Sequence, residues 1–201
     1  MSTHTIAVLA ASSAVLGPLL DNYHSQFGIL HYNAPINIHA QIWRGIVVDI
    51  ISAPFTPPLF ILAGLIIGFG TLYLNDTISN TSFRNDAIRM PRALLTISAF
   101  SSIYYLSAAL PSMHAPLVGP LLWALALTEY CLLDGSIGGL IMSILTALGG
   151  PAVELYLING GHLYNYSAGE FFNIPLFIVP LYFAGGAAVG NLARALQADE
   201  N

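Results

Sequence analysis

The chain has very little charge. Only 7% of its 201 residues are Asp, Glu, Lys or Arg, against about 25% in a typical soluble protein, so too little polar surface exists to cover a globule in water. Lysine is absent, and the basic residues are Arg44, Arg84, Arg89, Arg92 and Arg194. With a formal net charge of −5, the chain offers no basic footprint for DNA or RNA. Cysteine is nearly missing as well. Cys131 stands alone, which excludes an internal disulfide and any cysteine-cluster metal site. The N-terminus has no positive charge ahead of its first apolar stretch, so residues 5–20 read as a retained span rather than a cleaved signal.

What fills the chain instead is apolar: 56% hydrophobic residues and a mean hydropathy of +0.72. The solvent is therefore lipid. A helix crosses a hydrocarbon core of about 30 Å with roughly 20 largely apolar residues, and charge-free windows at 1–20, 51–75, 93–128, 135–153 and 171–193 mark where this happens. The third window is too long for one crossing and is interrupted by Pro111 and Pro116, so it reads as two helices. The expected architecture is an all-α, polytopic six-transmembrane-helix bundle forming one integral membrane domain over residues 1–201. Its spans lie near 5–20, 54–74, 91–110, 116–133, 137–157 and 175–192. Lipid leaves unpaired backbone groups without partners, so helices are required. Ahead of the second span, Pro54, Pro57 and Pro58 predict a kink, or a short interfacial helix around Trp43 and Arg44.

The arginines orient this bundle. Arg84, Arg89 and Arg92 fall between the second and third spans and Arg194 follows the sixth, which places those segments and both termini in the cytosol. The glycosylation triplets at Asn75 and Asn80 then face the cytosol, whereas the triplet at Asn165 faces out.

Ionisable groups inside lipid are candidates for function. Glu129 and Glu154 lie near opposite membrane faces, where each can snorkel to the headgroups or hydrogen-bond to a neighbouring helix, and that separation prevents them from acting as an acid–base pair. Gly135-Ser136-Ile137-Gly138 looks superficially like the serine motif of an intramembrane protease. No histidine follows on the sixth span, and His162 is on the other face, so no base meets Ser136. The histidines form no i, i+4 pair suited to a metal. Neither a catalytic residue, nor a metal site, nor a cofactor is expected.

What remains is a bundle with aromatic residues and small residues on its spans. Phe100 and Tyr104 on the third and Trp123 and Tyr130 on the fourth suit either core packing or the lining of a lipid cavity. Gly185, Gly186 and Gly190 on the sixth permit close helix packing. A small transporter or channel for an apolar or weakly polar solute is the alternative from another class, and it requires a continuous polar path.

Four ordered stretches carry a family resemblance. Gly185-Gly186-x-x-Val189-Gly190-Asn191-Leu192-x-Arg194-x-Leu196 resembles the final transmembrane segment of the Insig (insulin-induced gene) family. Upstream, Asn159-Gly160 and Tyr164–Phe171, then Phe100-x-x-Ile103 with Ser107–Leu110, and Asp134 after the fourth span are similar to further family motifs in the same order. The resemblance implies a non-enzymatic, six-span membrane protein of the endoplasmic reticulum, or of the plasma membrane if the source is bacterial. It further implies that an oxysterol or a diacylglycerol-like lipid binds within the bundle, and that the protein holds sterol-sensing-domain partners, Scap or HMG-CoA reductase, in feedback control of sterol synthesis. By position, Phe100 and Tyr130 match family pocket residues, Tyr130 replacing a tryptophan. Asp134 matches a cytosolic residue needed for the partner; from the residues alone, partner contact and a solvated, exposed loop position are equally open. Homo-oligomerisation is compatible with all of this.

Overall fold

The computed structural model describes residues 2–43, 46–78 and 88–199, and six α-helices carry most of them. Helix α1 (Thr3–Gln26) starts behind Ser2, whose hydroxyl accepts the Thr5 amide at 3.1 Å and so satisfies one of the orphan donors of a helix start. Helices α2 (Thr56–Thr77), α3 (Met90–Ala109) and α4 (Pro111–Glu129) each carry proline in the first turn, where its missing N–H has no intrahelical partner to lose. Only Leu110 separates α3 from α4. The fourth helix therefore begins at Pro111 rather than near Pro116. Helix α5 (Ile137–Leu155) is capped by Ser136, and α6 (Ile178–Asp199) completes the set.

Both α4 and α5 run into a five-residue π-turn, Tyr130–Asp134 and Tyr156–Gly160. Gly135, with a left-handed φ of 68°, stops the first one. Its N–H donates to the Tyr130 carbonyl at 2.8 Å, and the widened turn directs Asp134 into the protein. Wide turns of this kind are frequent at functional positions.

An all-α fold is corrected at two places. Strand β1 (Leu30–Tyr32), after α1, pairs antiparallel with β4 (Tyr164–Tyr166), between α5 and α6. Where a kink or a short interfacial helix around Trp43 and Arg44 is the expectation, β2 (Ile36–Trp43) and β3 (Ile46–Ser52) form an antiparallel hairpin; Arg44 lies outside the described residues. The stretch alternates, with Ile36 and Ile38 on one face and Asn37, His39 and Gln41 on the other. Its β-branched residues at period two favour a pleated strand over a helix. Side chains of α1 hold the free edge of β3: Ile51 N donates to Asn22 Oδ1 at 2.7 Å, and Gln26 Nε2 donates to the Asp49 carbonyl at 2.7 Å.

Among the described residues four segments are long and apolar enough to cross a membrane: Thr3–Gln26, Thr56–Thr77, Leu117–Asp134 and Ile137–Asn159. Helices α3 and α6 are comparable in length, but serines dilute α3, and most of α6 is buried. A helix enclosed by its neighbours needs no apolar exterior. Glycines let α6 fit: a Cβ on Gly186 would stand 2.7 Å from Ser143 Cα of α5, one on Gly190 2.8 Å from Thr71 Oγ1 of α2, and one on Gly185 3.3 Å from the Phe100 ring of α3. Three glycines thus face three different helices, and α6 is the axis of the bundle.

Candidate functional site: a lipid-facing cavity

Helices α1, α2, α3, α5 and α6 enclose a cavity of about 520 Å³, within the range of sites that hold drug-sized ligands. Its wall is apolar over most of its length. Leu62 and Ile66 of α2 and Leu145 and Val153 of α5 belong both to this wall and to the outer surface of the protein. The cavity therefore opens sideways, between α2 and α5.

Local sequence produces the opening. Toward the end holding the α2 C-terminus and the α5 N-terminus the two helices touch, since a Cβ on Gly138 would meet Asn75 Oδ1 at 2.9 Å and one on Gly70 would meet Met142 Sδ at 2.8 Å. Toward the other end, a Cβ on Gly149 would meet nothing within 4 Å. Pro151 follows two residues later, where it withholds the N–H that the Ala147 carbonyl would accept. The α1–α2 side is closed, Gly17 lying against the Phe60 ring and Gly64 against Ser13.

Polar groups gather at the wide end, beneath the β1–β4 pair. Asp21, near the end of α1, accepts the hydroxyl of Tyr32 on one oxygen and that of Tyr104, at 2.9 Å, on the other. Burial first, and then the neighbouring carboxylate, push the Tyr32 phenol well above its ordinary value, so its hydroxyl stays a donor. Glu154 accepts from Tyr182 Oη at 2.5 Å, and the Tyr166 hydroxyl also donates to its carboxyl. His24 is 1% exposed. Ser107 Oγ donates to the Tyr104 carbonyl at 2.7 Å and so must accept from His24 Nε2 at 2.8 Å. That assigns the ring proton to Nε2 and leaves Nδ1 as an acceptor without a donor. Among the described lining residues there is no Arg or Lys.

The expected aromatic residues divide. Phe100 and Tyr104 line the cavity. Trp123 and Tyr130 do not: α4 packs against α3 and α6, away from α1, α2 and α5, and both rings rest on Phe183 at centroid distances of 5.6 and 6.0 Å. Asp21, Tyr32 and Tyr182 were missed. The available signal was positional, since Asp21 and Glu154 lie near the same-side ends of the first and fifth spans and Tyr164-Asn165-Tyr166 follows in the adjoining loop. Glu129 and Glu154 are both buried in protein rather than snorkelling, and Glu154 takes the other course open to it, a hydrogen bond from the neighbouring helix α6. Asn165 is exposed on β4 and Asn75 lies in α2, while Asn80 and Arg84 fall outside the described residues.

The opposite end is bolted by a second polar group. Asp134 is buried, not exposed: its Oδ2 accepts from Arg194 Nη2 at 2.5 Å, and its Oδ1 accepts from Ser136 N at 3.1 Å and Ser136 Oγ at 2.6 Å. Arg194 also donates to Ser136 Oγ at 2.5 Å and Asn191 Oδ1 at 2.9 Å. Asn191 Nδ2 donates to Thr96 Oγ1 at 2.9 Å and to the Leu133 carbonyl at 3.1 Å. Ser136 Oγ in turn caps α5 by accepting Gly139 N at 3.0 Å. The network ties α3, the first π-turn, α5 and α6 at one point, and it occupies the only serine of the protease-like motif.

No protein-family model matches the chain. A curated protein from Mycolicibacterium vanbaalenii described as an INSIG protein homolog is 30% identical over 149 residues, spanning 72% of this chain and 69% of that one. Crystal structures of a mycobacterial Insig homolog from Mycobacterium vanbaalenii and of its cross-linked trimer superpose on the chain with a TM-score of 0.81 at 25% identity. Each covers 100% of this chain and 98% of its own.

Proposed function

Because the chain belongs to the Insig family, we propose that it is a non-enzymatic membrane regulator that crosses the bilayer six times and holds a sterol or diacylglycerol-like lipid in the cavity between α2 and α5. The observation that carries this reading is the cavity itself, about 520 Å³, apolar along most of its length, open sideways and with its acidic side chains, Asp21 and Glu154, at one end. Such a shape suits a molecule with a long apolar body and a small polar head, taken up from the membrane rather than from water. With the arginine-bearing segments in the cytosol, the polar end lies at the outer face and the Asp134–Arg194 network at the cytosolic one. A lipid that packs better in one arrangement of the bundle shifts the population toward it, and a membrane partner with a sterol-sensing domain reads that arrangement from the cytosolic end. Asp134, beneath Arg194, shapes the surface a partner meets instead of supplying the contact. Assembly into a homo-oligomer accompanies this function, as the relative's cross-linked trimer suggests.

A channel requires a continuous polar path, whereas the wall between the two polar ends is mostly apolar and the hydroxyls of Ser12 and Thr146 within it donate to carbonyls of their own helices. The test is native mass spectrometry of the purified protein with extraction of retained lipid. A stoichiometric sterol or acylglycerol is the expected finding. If radiolabelled sterols and glycerolipids all fail to bind, the reading is wrong.

A further inference from the structure

We propose that the loop over residues 170–176 is a preformed aromatic wedge that seats Phe171 and Phe172 among lipid acyl chains just below the headgroups, beside the end of the α5 segment. Backbone conformation is the first sign. Phe172 and Asn173 hold consecutive left-handed φ values of 48° and 67°; asparagine visits that region readily, whereas a bulky residue does so only where its surroundings enforce it. Here they do. Phe171 and Ile174 exchange both backbone hydrogen bonds, at 3.0 and 2.9 Å, and Leu176 N donates to Glu170 Oε2 at 2.9 Å. Asn159, in the π-turn that follows α5, donates from Nδ2 to the Phe172 carbonyl at 3.1 Å and accepts from Asn173 Nδ2 at 2.9 Å. What this bracing presents outward is apolar: Phe171 is 55% exposed, Phe172 67% and Leu176 55%, and the two rings meet edge to face at 4.6 Å.

Lipid is the occupant because the wedge continues a lipid-facing surface. Asn159 is the last residue of Ile137–Asn159, one of the segments long and apolar enough to cross a membrane, so its bond to Phe172 ties the wedge to the height at which that segment leaves the hydrocarbon. Val153 and Tyr156 on the same segment, 47% and 73% exposed, carry the apolar exterior toward that height, and an exposed tyrosine there suits the boundary between chains and headgroups. Charge is kept away from the rings. No Asp, Glu, Lys or Arg occurs between Phe171 and Ala193, and the Glu170 carboxylate turns back onto Leu176 N. In water the three outward side chains would stay hydrated at a cost, whereas the interface removes their apolar area from water. The wedge is independent of what fills the cavity, since Phe171, Phe172 and Leu176 are not among its lining residues.

The experiment uses the full chain in nanodiscs of phosphatidylcholine, with a fluorophore attached through Phe172→Cys, or through Phe171→Cys should the first variant fail to fold, in a Cys131→Ser background that leaves no other thiol. Lipids bearing a nitroxide near the top of the acyl chain are expected to quench this label severalfold more strongly than aqueous iodide does. The reverse order is expected for a label attached through Asn165→Cys on the exposed part of β4. Iodide quenching equal to that at Asn165→Cys overturns the wedge. Protection from both quenchers overturns it as well, and disulfide cross-linking between Phe172→Cys chains would then make a second copy the occupant. Asn159→Ala cuts the tether at an exposed position and is expected to lower lipid quenching severalfold; unchanged quenching overturns the bracing of the wedge by Asn159.

Discussion

Replacing Asp134 by alanine tests the network that closes the end of the bundle opposite the polar end of the cavity. The carboxylate accepts from Arg194 and twice from Ser136, its side chain is 0% exposed and that of Arg194 is 10% exposed. Alanine leaves Arg194 with only Ser136 Oγ and Asn191 Oδ1, while its Nε is already without a partner. Removing one member of a buried ion pair costs about 3–5 kcal/mol, mostly because the remaining charge stays desolvated. For a chain of this size that corresponds to a fall in melting temperature of roughly 6–20 °C, measurable by thermal unfolding in detergent. Arg194→Met is expected to cost a similar amount. The double variant, which buries no unpaired charge, is expected to lose less than Asp134→Ala alone. A double variant that loses the sum of the two single effects would refute the pairing, as would an Asp134→Ala protein within about 1 kcal/mol of the original.

Packing of the axis helix predicts that Gly186→Ala, whose new methyl meets α5 backbone at 2.7 Å, destabilises by about 1–3 kcal/mol; unchanged denaturation would show that α5 and α6 are not in contact there. Gly149→Phe projects into open space and is expected to leave stability intact while lowering retained lipid severalfold, as read by extraction and mass spectrometry. Trp123→Ala, away from the cavity, is expected to do the reverse, costing about 3–5 kcal/mol if its site cannot collapse and leaving lipid retention unchanged. Tyr104→Phe removes one donor from buried Asp21 and should cost about 1–3 kcal/mol, with no loss of the ring packing on His24 seen at 4.8 Å.

The helical part of the fold was legible because its cause is local: a long charge-free window between proline or polar punctuation states where a lipid-facing helix runs. The β2–β3 hairpin was legible in principle, since Ile36–Ser52 alternates at period two, but the apolar stretch from Ile42 onward masked that signal. Trp123 and Tyr130 were assigned to the cavity on composition and on resemblance, and nothing in a single sequence says that α4 packs behind α3 and α6. Asp134 was misread for a related reason. Its neighbours Asp134-Gly135-Ser136 look like an exposed turn, and only the π-turn that rotates the carboxylate inward, together with Arg194 about sixty residues downstream, shows it to be buried. Polar clusters assembled from distant spans, such as Asp21, Tyr104 and Glu154, leave no periodic trace at all.

Two of the buried carboxyl groups, those of Glu154 and Asp134, sit at the two ends of one helix. Near its start, α6 presents Tyr182 to Glu154 in the polar end of the cavity; near its finish, it presents Asn191 and Arg194 to the Asp134 network. Between them the glycines leave no slack, because a methyl on Gly186 or Gly190 already collides with α5 or α2. A helix packed this closely does not bend locally to accommodate a ligand, and close-packed interiors shift between discrete arrangements rather than deform smoothly. Any ligand-driven displacement at Tyr182 must then be carried along α6 as a rigid body to Arg194, where the ion pair either survives the shift or breaks. Coupling between the two ends follows from the glycine packing, and Gly186→Ala should weaken it even where the cavity and the ion pair are themselves unaltered.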